Sequence, residues 1–235
     1  MGRIIAKKNL DGSSSLPEIG RIKIGMKSDK GYPVSLDYFR ATGSMADRFN
    51  KVVGERPKSL KIAFISNDLS EVCNERFESW DKGRRFGWGD GVEFNVWNGV
   101  EYEVMDKADA RVRALKWDRM LTLRFVLLDL KGIYGYWTFE TKADKVTIPS
   151  IIKTFDMIKD KTTSIIGLPF ELLVEKAKSY NPGAPRTYPV VKLVPNFSDE
   201  MMGTVRDYLE SGGDVNRINP HRLMELDNNP KIELK

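Results

Sequence analysis

Asp129, followed by Glu140-Thr141-Lys142, supplies the residue types of a metal-dependent nuclease. In such an enzyme an Asp and a Glu hold the metal, and a Lys two residues after the Glu steadies charge developing on the phosphate. On a strand Glu140 and Lys142 share a face, as that chemistry requires. The same pair is equally the ending of a solvated strand, and spacing fixes no further carboxylate nearby. A second constellation binds rather than reacts. Trp80-Asp81-Lys82-Gly83-Arg84-Arg85-Phe86-Gly87-Trp88 sets cations beside large rings in a glycine-rich stretch that reads as an exposed loop. Proteins use this combination to contact phosphates and stack bases. Arg111, Arg113 and Lys116, with Arg119 and Arg124, form another basic cluster, interrupted between Lys107 and Arg124 only by Asp109 and Asp118. Arg84, Arg85, Phe86, Trp88, Arg111, Arg113 and Lys116 are therefore the candidate surface for an anionic partner. The competing reading is a charged rim with its tryptophans turned into the core.

Other chemistry has little to work with. Cys73 and His221 are the single cysteine and the single histidine, so disulfide frameworks, His/Cys zinc sites and His-based triads lack their parts. Cys73 reads as a buried thiol and His221 as a surface imidazole. Gly87-Trp88-Gly89-Asp90-Gly91 is glycine-rich, but a phosphate loop needs a helix to follow, and here an Asn98-Gly99 hairpin follows instead. It reads as a tight loop with Asp90 in the turn. No cofactor or metal is expected. The formal charge of +5 permits nucleic-acid contact without demanding it. No apolar run reads as a signal peptide or a bilayer span, and Ala6 stands where a myristoylation signal wants Ser or Thr. The expected location is the cytoplasm, where the Asn196-Phe197-Ser198 sequon has no role.

The elements that must position these residues are mostly strands. Residues 1–18 read as a flexible lead. Ile22 and Ile24 alternate with Arg21 and Lys23, and a second extended run covers Leu36 to Thr42. Ser44 can cap a short helix from Met45 to Val53, closed by Gly54. Leu60 to Ser66 reads as a buried strand. Asn98-Gly99 predicts a hairpin within Glu93–Met105, since both residues tolerate positive φ. Leu121–Leu128 pairs with Tyr134–Thr141, and Phe170–Lys176 with Tyr188–Val194. Thr147 can cap a helix presenting Ile148, Ile151, Ile152, Phe155 and Ile158 to the sheet. Ser198-Asp199-Glu200 starts another helix, ended by Gly212-Gly213, and a short helical turn can follow Asn219-Pro220. The fold class is α+β: a strongly curved antiparallel sheet or a small barrel, compatible with the oligonucleotide-binding type. A helix packs after the central hairpin, the core spans 19–197, and residues 198–235 form a C-terminal helical extension.

Four stretches together carry a family resemblance. Pro17-Glu18-Ile19-Gly20-Arg21-Ile22-Lys23-Ile24-Gly25 comes first, and Leu36-Asp37-Tyr38-Phe39-Arg40-Ala41-Thr42 second. Gly135-Tyr136-Trp137-Thr138-Phe139-Glu140-Thr141-Lys142 follows before the Ile-rich helix, then Leu168-Pro169-Phe170-Glu171-Leu172. In order and spacing they resemble the recombination directionality factors of phages, over roughly residues 17 to 195. The resemblance implies a non-enzymatic accessory protein that binds a large serine integrase, favours excision and inhibits integration. DNA is a further candidate partner, and a single-stranded DNA-binding protein of phage replication is the alternative; a PD-(D/E)xK-type nuclease is the third reading. The matching motifs look like determinants of fold, so no integrase-contacting residue transfers.

Overall fold

The computed structural model describes residues 16–162, 164–179 and 186–213. His221, the turn after Asn219-Pro220 and the lead up to residue 15 lie outside the described residues. Eleven strands share one open, mixed sheet, organised around β8 (Asp118–Leu127). That strand alternates Leu121, Leu123, Phe125 and Leu127, all buried, with Thr122 and Arg124 on the other face. Its pleat therefore presents an apolar row to one side only. It pairs with three strands: β4 (Cys73–Asp81), β9 (Tyr136–Thr141) and β3 (Ser59–Ala63).

From β9 the sheet continues through β1 (Glu18–Lys27), a parallel neighbour, to β2 (Pro33–Thr42), antiparallel to β1. This run curls round an interior filled by Ile22, Phe39, Leu60, Ile62, Trp137 and Phe139. Phe39 meets Phe139 edge to face with centroids 6.4 Å apart. The expected antiparallel sheet is thus mixed, because β1 and β9 run side by side. The barrel alternative fails at one seam. The Phe39 N–H donates to the Pro57 carbonyl at 2.7 Å, just before β3. Proline has no N–H to return, so that contact does not extend into a ladder.

A second layer covers the other end. β10 (Pro169–Lys178) pairs with β3 and with β11 (Thr187–Pro195). The helix α4 (Thr147–Lys159) buries Ile148, Ile151, Phe155 and Ile158, as its period predicts. Thr147 does not cap it. Its hydroxyl instead accepts the Val191 N–H at 3.2 Å, and the Thr154 hydroxyl donates to the Leu193 carbonyl at 2.9 Å. The helix thereby satisfies part of the free edge of β11, protecting it from pairing with another chain. Ser44 likewise caps nothing, donating to the Ile19 carbonyl at 3.1 Å beside α1 (Ala46–Val52). Ser198 does behave as a cap, accepting from the Met201 N–H at 3.1 Å at the start of α5 (Asp199–Glu210). Met201 and Val205 of α5 are buried in the same core. The C-terminal helix thus packs with the main body.

Beyond β4 the sheet leaves the body as a four-stranded wing: β4, β5 (Arg84–Gly89), β6 (Glu93–Trp97) and β7 (Tyr102–Asp106). The stretch expected to be an exposed loop is the β4–β5 hairpin. Its two-residue turn, Lys82-Gly83, has positive φ at both positions (47° and 80°), the backbone whose twist suits adjacent strands. Asn98-Gly99 does sit in the β6–β7 connection, but only Gly99 has positive φ. The Asn98 side chain accepts from the Val100 and Glu101 N–H groups, building a four-residue loop. A single turn, α2 (Leu69–Val72), leads into β4, and another short helix, α3 (Ala110–Ala114), lies on one face of the wing. Its Val112 joins Phe94, Val96 and Met105 in a small separate core, flanked by Phe77, Leu115 and Trp117.

Candidate functional site

The two faces of the wing differ because strand register sorts their residues. Glu78 opposes Trp88, Trp88 opposes Asn95, Asn95 opposes Val104, and Trp97 opposes Tyr102. Opposed residues share a face, as do residues two apart. Arg76, Glu78, Trp80, Trp88, Trp97, Tyr102 and Val104 therefore lie on one side. Phe77, Gly87, Gly89, Phe94, Val96 and Met105 lie on the other, beneath α3. This explains the glycines of Gly87-Trp88-Gly89. A side chain at Gly87 would stand 2.7 Å from the Trp117 ring, and one at Gly89 would stand 2.8 Å from Phe94 Cγ. They admit rings against bare backbone and cradle no phosphate.

The face opposite α3 is aromatic and open. Trp88 meets the Tyr102 edge at 4.5 Å between centroids, and Trp97 meets Tyr102 at 5.1 Å. The Arg85 guanidinium lies 4.3 Å from the Trp88 ring centroid, an arrangement favoured by the ring's negative face. The Tyr102 hydroxyl donates to the Arg85 carbonyl at 3.0 Å, tying β7 to β5. Trp80 is 48% exposed and Val104 66%. At the root sits Glu78, a buried carboxylate that accepts from Arg76 Nε at 2.6 Å and from Trp80 Nε1 at 2.8 Å. Burial alone would raise its pKa; the Trp80 and Arg76 hydrogen bonds, with the Arg76 charge, bring it below the usual glutamate range.

Of the seven sequence candidates, this face collects Arg85 and Trp88. Arg84 is exposed beside the turn, opposite Asp81. Phe86 is half-buried at the point where the register skips from Arg85 to Gly87, a bulge on the β5 side. Arg111, Arg113 and Lys116 lie with α3, on the opposite side from Trp88. Arg111 is engaged there, donating to Glu103 at 2.8 Å and lying 3.5 Å from Asp109. The two basic clusters therefore do not form one surface. Trp97, Tyr102 and Glu78 were missed because their convergence on Trp88 depends on register across three strands.

The nuclease constellation comes apart in the same way. Glu140 opposes Thr122 at one end of the β8–β9 hairpin, whereas Asp129 lies past Leu127 at the other. Thr122 to Leu127 alone spans ~16 Å at strand rise, far beyond a shared metal. Glu140 accepts from Arg21 at 3.3 Å and Lys142 pairs with Asp118 at 3.0 Å. No group of three or more His, Cys, Asp or Glu side chains among the described residues could hold a metal. Burial, with Glu75 and Asp156 nearby, pushes the Cys73 thiol up to about 12, leaving it protonated and a poor nucleophile. Among the described residues no helix is long and apolar enough to cross a membrane.

Residues 19–196 match the family model Gp3-like, described as recombination directionality factor-like. No curated protein and no solved structure matches the chain.

Proposed function

The chain belongs to the Gp3-like, recombination directionality factor-like family, and we propose that it is a phage or mobile-element accessory factor with no catalysis of its own. In this reading it acts in the bacterial cytoplasm, binding a large serine integrase in the arrangement that favours excision. The observation that supports a binding role is the open face of the wing, where Trp80, Trp88, Trp97 and Tyr102 gather around Arg85. Trp, Tyr and Arg are the residues that most often dominate binding energy at protein interfaces. Such a factor works by preferring one state of its partner, and a swing from 1:99 to 99:1 needs about 10⁴-fold discrimination. The variant Val104→Glu, at a residue 66% exposed on the same face, should abolish stimulation of excision by a cognate integrase without lowering Tm. Full stimulation by this variant would sink the assignment.

A second reading draws on Arg85 stacked over Trp88. The same ring cluster suits single-stranded DNA, whose bases stack on aromatic faces while cations meet the phosphates. Titration with single- and double-stranded oligonucleotides at two salt concentrations separates the readings. A DNA binder quenches tryptophan fluorescence and loses affinity steeply with salt. A factor that binds integrase alone does neither.

A further inference from the structure

We propose that a cleft bordered by β1, β9 and β11 is a second binding site, separate from the wing, for a phosphate group carried by a nucleotide or a nucleic-acid strand. A cleft of about 460 Å³ opens there between β1, the end of β9 and the start of β11. Its walls are strand edges that pair with no further strand among the described residues. Beyond Ile22, β1 pairs only with β2, and β11 pairs only with β10. The helix α4 serves the β11 edge at Val191 and Leu193, leaving Tyr188 and Pro189 to line the cleft.

Three cations, Arg21, Lys23 and Lys142, line this space with one carboxylate, Glu140, while Glu18 and Asp118 pair with Arg21 and Lys142 from outside it. Arg21 is held in place, with Nε on Glu18 at 2.6 Å and Nη1 on Glu140 at 3.3 Å. A guanidinium has five N–H donors, so this clamp leaves others for a further oxygen. Lys23 makes no ion pair among the described residues. The deciding residue is Thr138. It lines the cleft, is 4% exposed, and its hydroxyl has no hydrogen-bond partner. A buried orphan hydroxyl is destabilising, and a phosphate oxygen that displaces the side chains covering it would complete it. Tyr188, 38% exposed, offers a ring beside the cations. A volume of this size suits a nucleotide unit. A smaller cleft of about 270 Å³ shares Ser35, Tyr188 and Pro189 and adds Lys176, paired there with Asp37 at 3.0 Å.

Thr122 provides an internal control, because it is as buried and as orphaned as Thr138 but does not line the cleft. The test uses full-length protein in calorimetry and thermal-shift titrations with inorganic phosphate, thymidine monophosphate and an oligothymidylate. Thr138→Val and Thr122→Val should both raise the Tm of the free protein. Only Thr138→Val should weaken binding, by about tenfold or more, the worth of a hydrogen bond to a charged group. Lys23→Glu, a surface change that leaves the core intact, should weaken binding too. Equal affinity for the monophosphate and the oligonucleotide identifies a free-nucleotide site, and preference for the oligonucleotide identifies backbone phosphate. Absence of binding to all three probes, or identical affinity in wild type, Thr138→Val and Lys23→Glu, overturns the proposal. Val104→Glu should leave phosphate binding unchanged, so failure here and failure of the wing reading are distinguishable.

Discussion

Trp137 and Trp80 belong to the same sheet, yet Trp137 is 1% exposed while Trp80 is 48% exposed. The difference lies in what each strand finds beneath it. In the body the sheet curls back and is joined by α1, α4 and α5, so the apolar face of β8 and β9 meets a second layer. The wing runs past that layer, and α3, five residues long, covers one face only. An aromatic residue is core where two layers exist and surface where one does. The wing is thus the region able to offer rings to a partner, with its fold carried by a core of a few side chains.

The largest way to test this division is Trp137→Ala. Removing a fully buried ring that also packs on Phe49 at 5.7 Å should cost about 3–5 kcal/mol and shift global unfolding in denaturant. The wing hangs on β8 through β4, so it should unfold in the same transition. Phe94→Ala should cost less overall, ~3 kcal/mol, because only the small core collapses. Hydrogen exchange should then accelerate in β5, β6 and β7 while β8 and β9 keep their protection. Equal loss of protection in β8 would show that body and wing are one cooperative unit. Glu78→Gln should cost about 1–3 kcal/mol, by weakening acceptance from Arg76 and Trp80 at the wing's root. Because the folded carboxyl titrates below its ordinary value of 4.5, its contribution is present above that pH and is lost as pH falls through the lowered value. Acid unfolding curves of wild type and Glu78→Gln should therefore converge at low pH.

Much of the scaffold was legible residue by residue. Alternation placed β8 with β9 and β10 with β11, and the 3.6 period of Ile148, Ile151, Phe155 and Ile158 placed α4. Local capping was less secure. Thr147 and Ser44 have cap chemistry but spend it on neighbouring strands, since a hydroxyl takes the nearest unsatisfied backbone group. The β4–β5 hairpin was hidden because Lys82-Gly83 adopts a positive-φ turn without the Asn-Gly signature. Within the candidate site, Arg85 and Trp88 were found from composition, while Trp97 and Tyr102 were not. Their proximity to Trp88 is written across three strands rather than within one.

What the sequence determined by itself was local and periodic: which runs form strands, which helix shows an apolar stripe, and which motifs mark the family. These follow from the backbone and the alternation of side chains. The tertiary structure decided everything that depends on register and closure. It set Arg111, Arg113 and Lys116 on the far side from Trp88, and parted Asp129 from Glu140. It also left a cleft between β1, β9 and β11 that an unsatisfied Thr138 lines. The physical reason is that a strand fixes which of its faces a residue takes, but only pairing fixes which other strands share that face and what covers it.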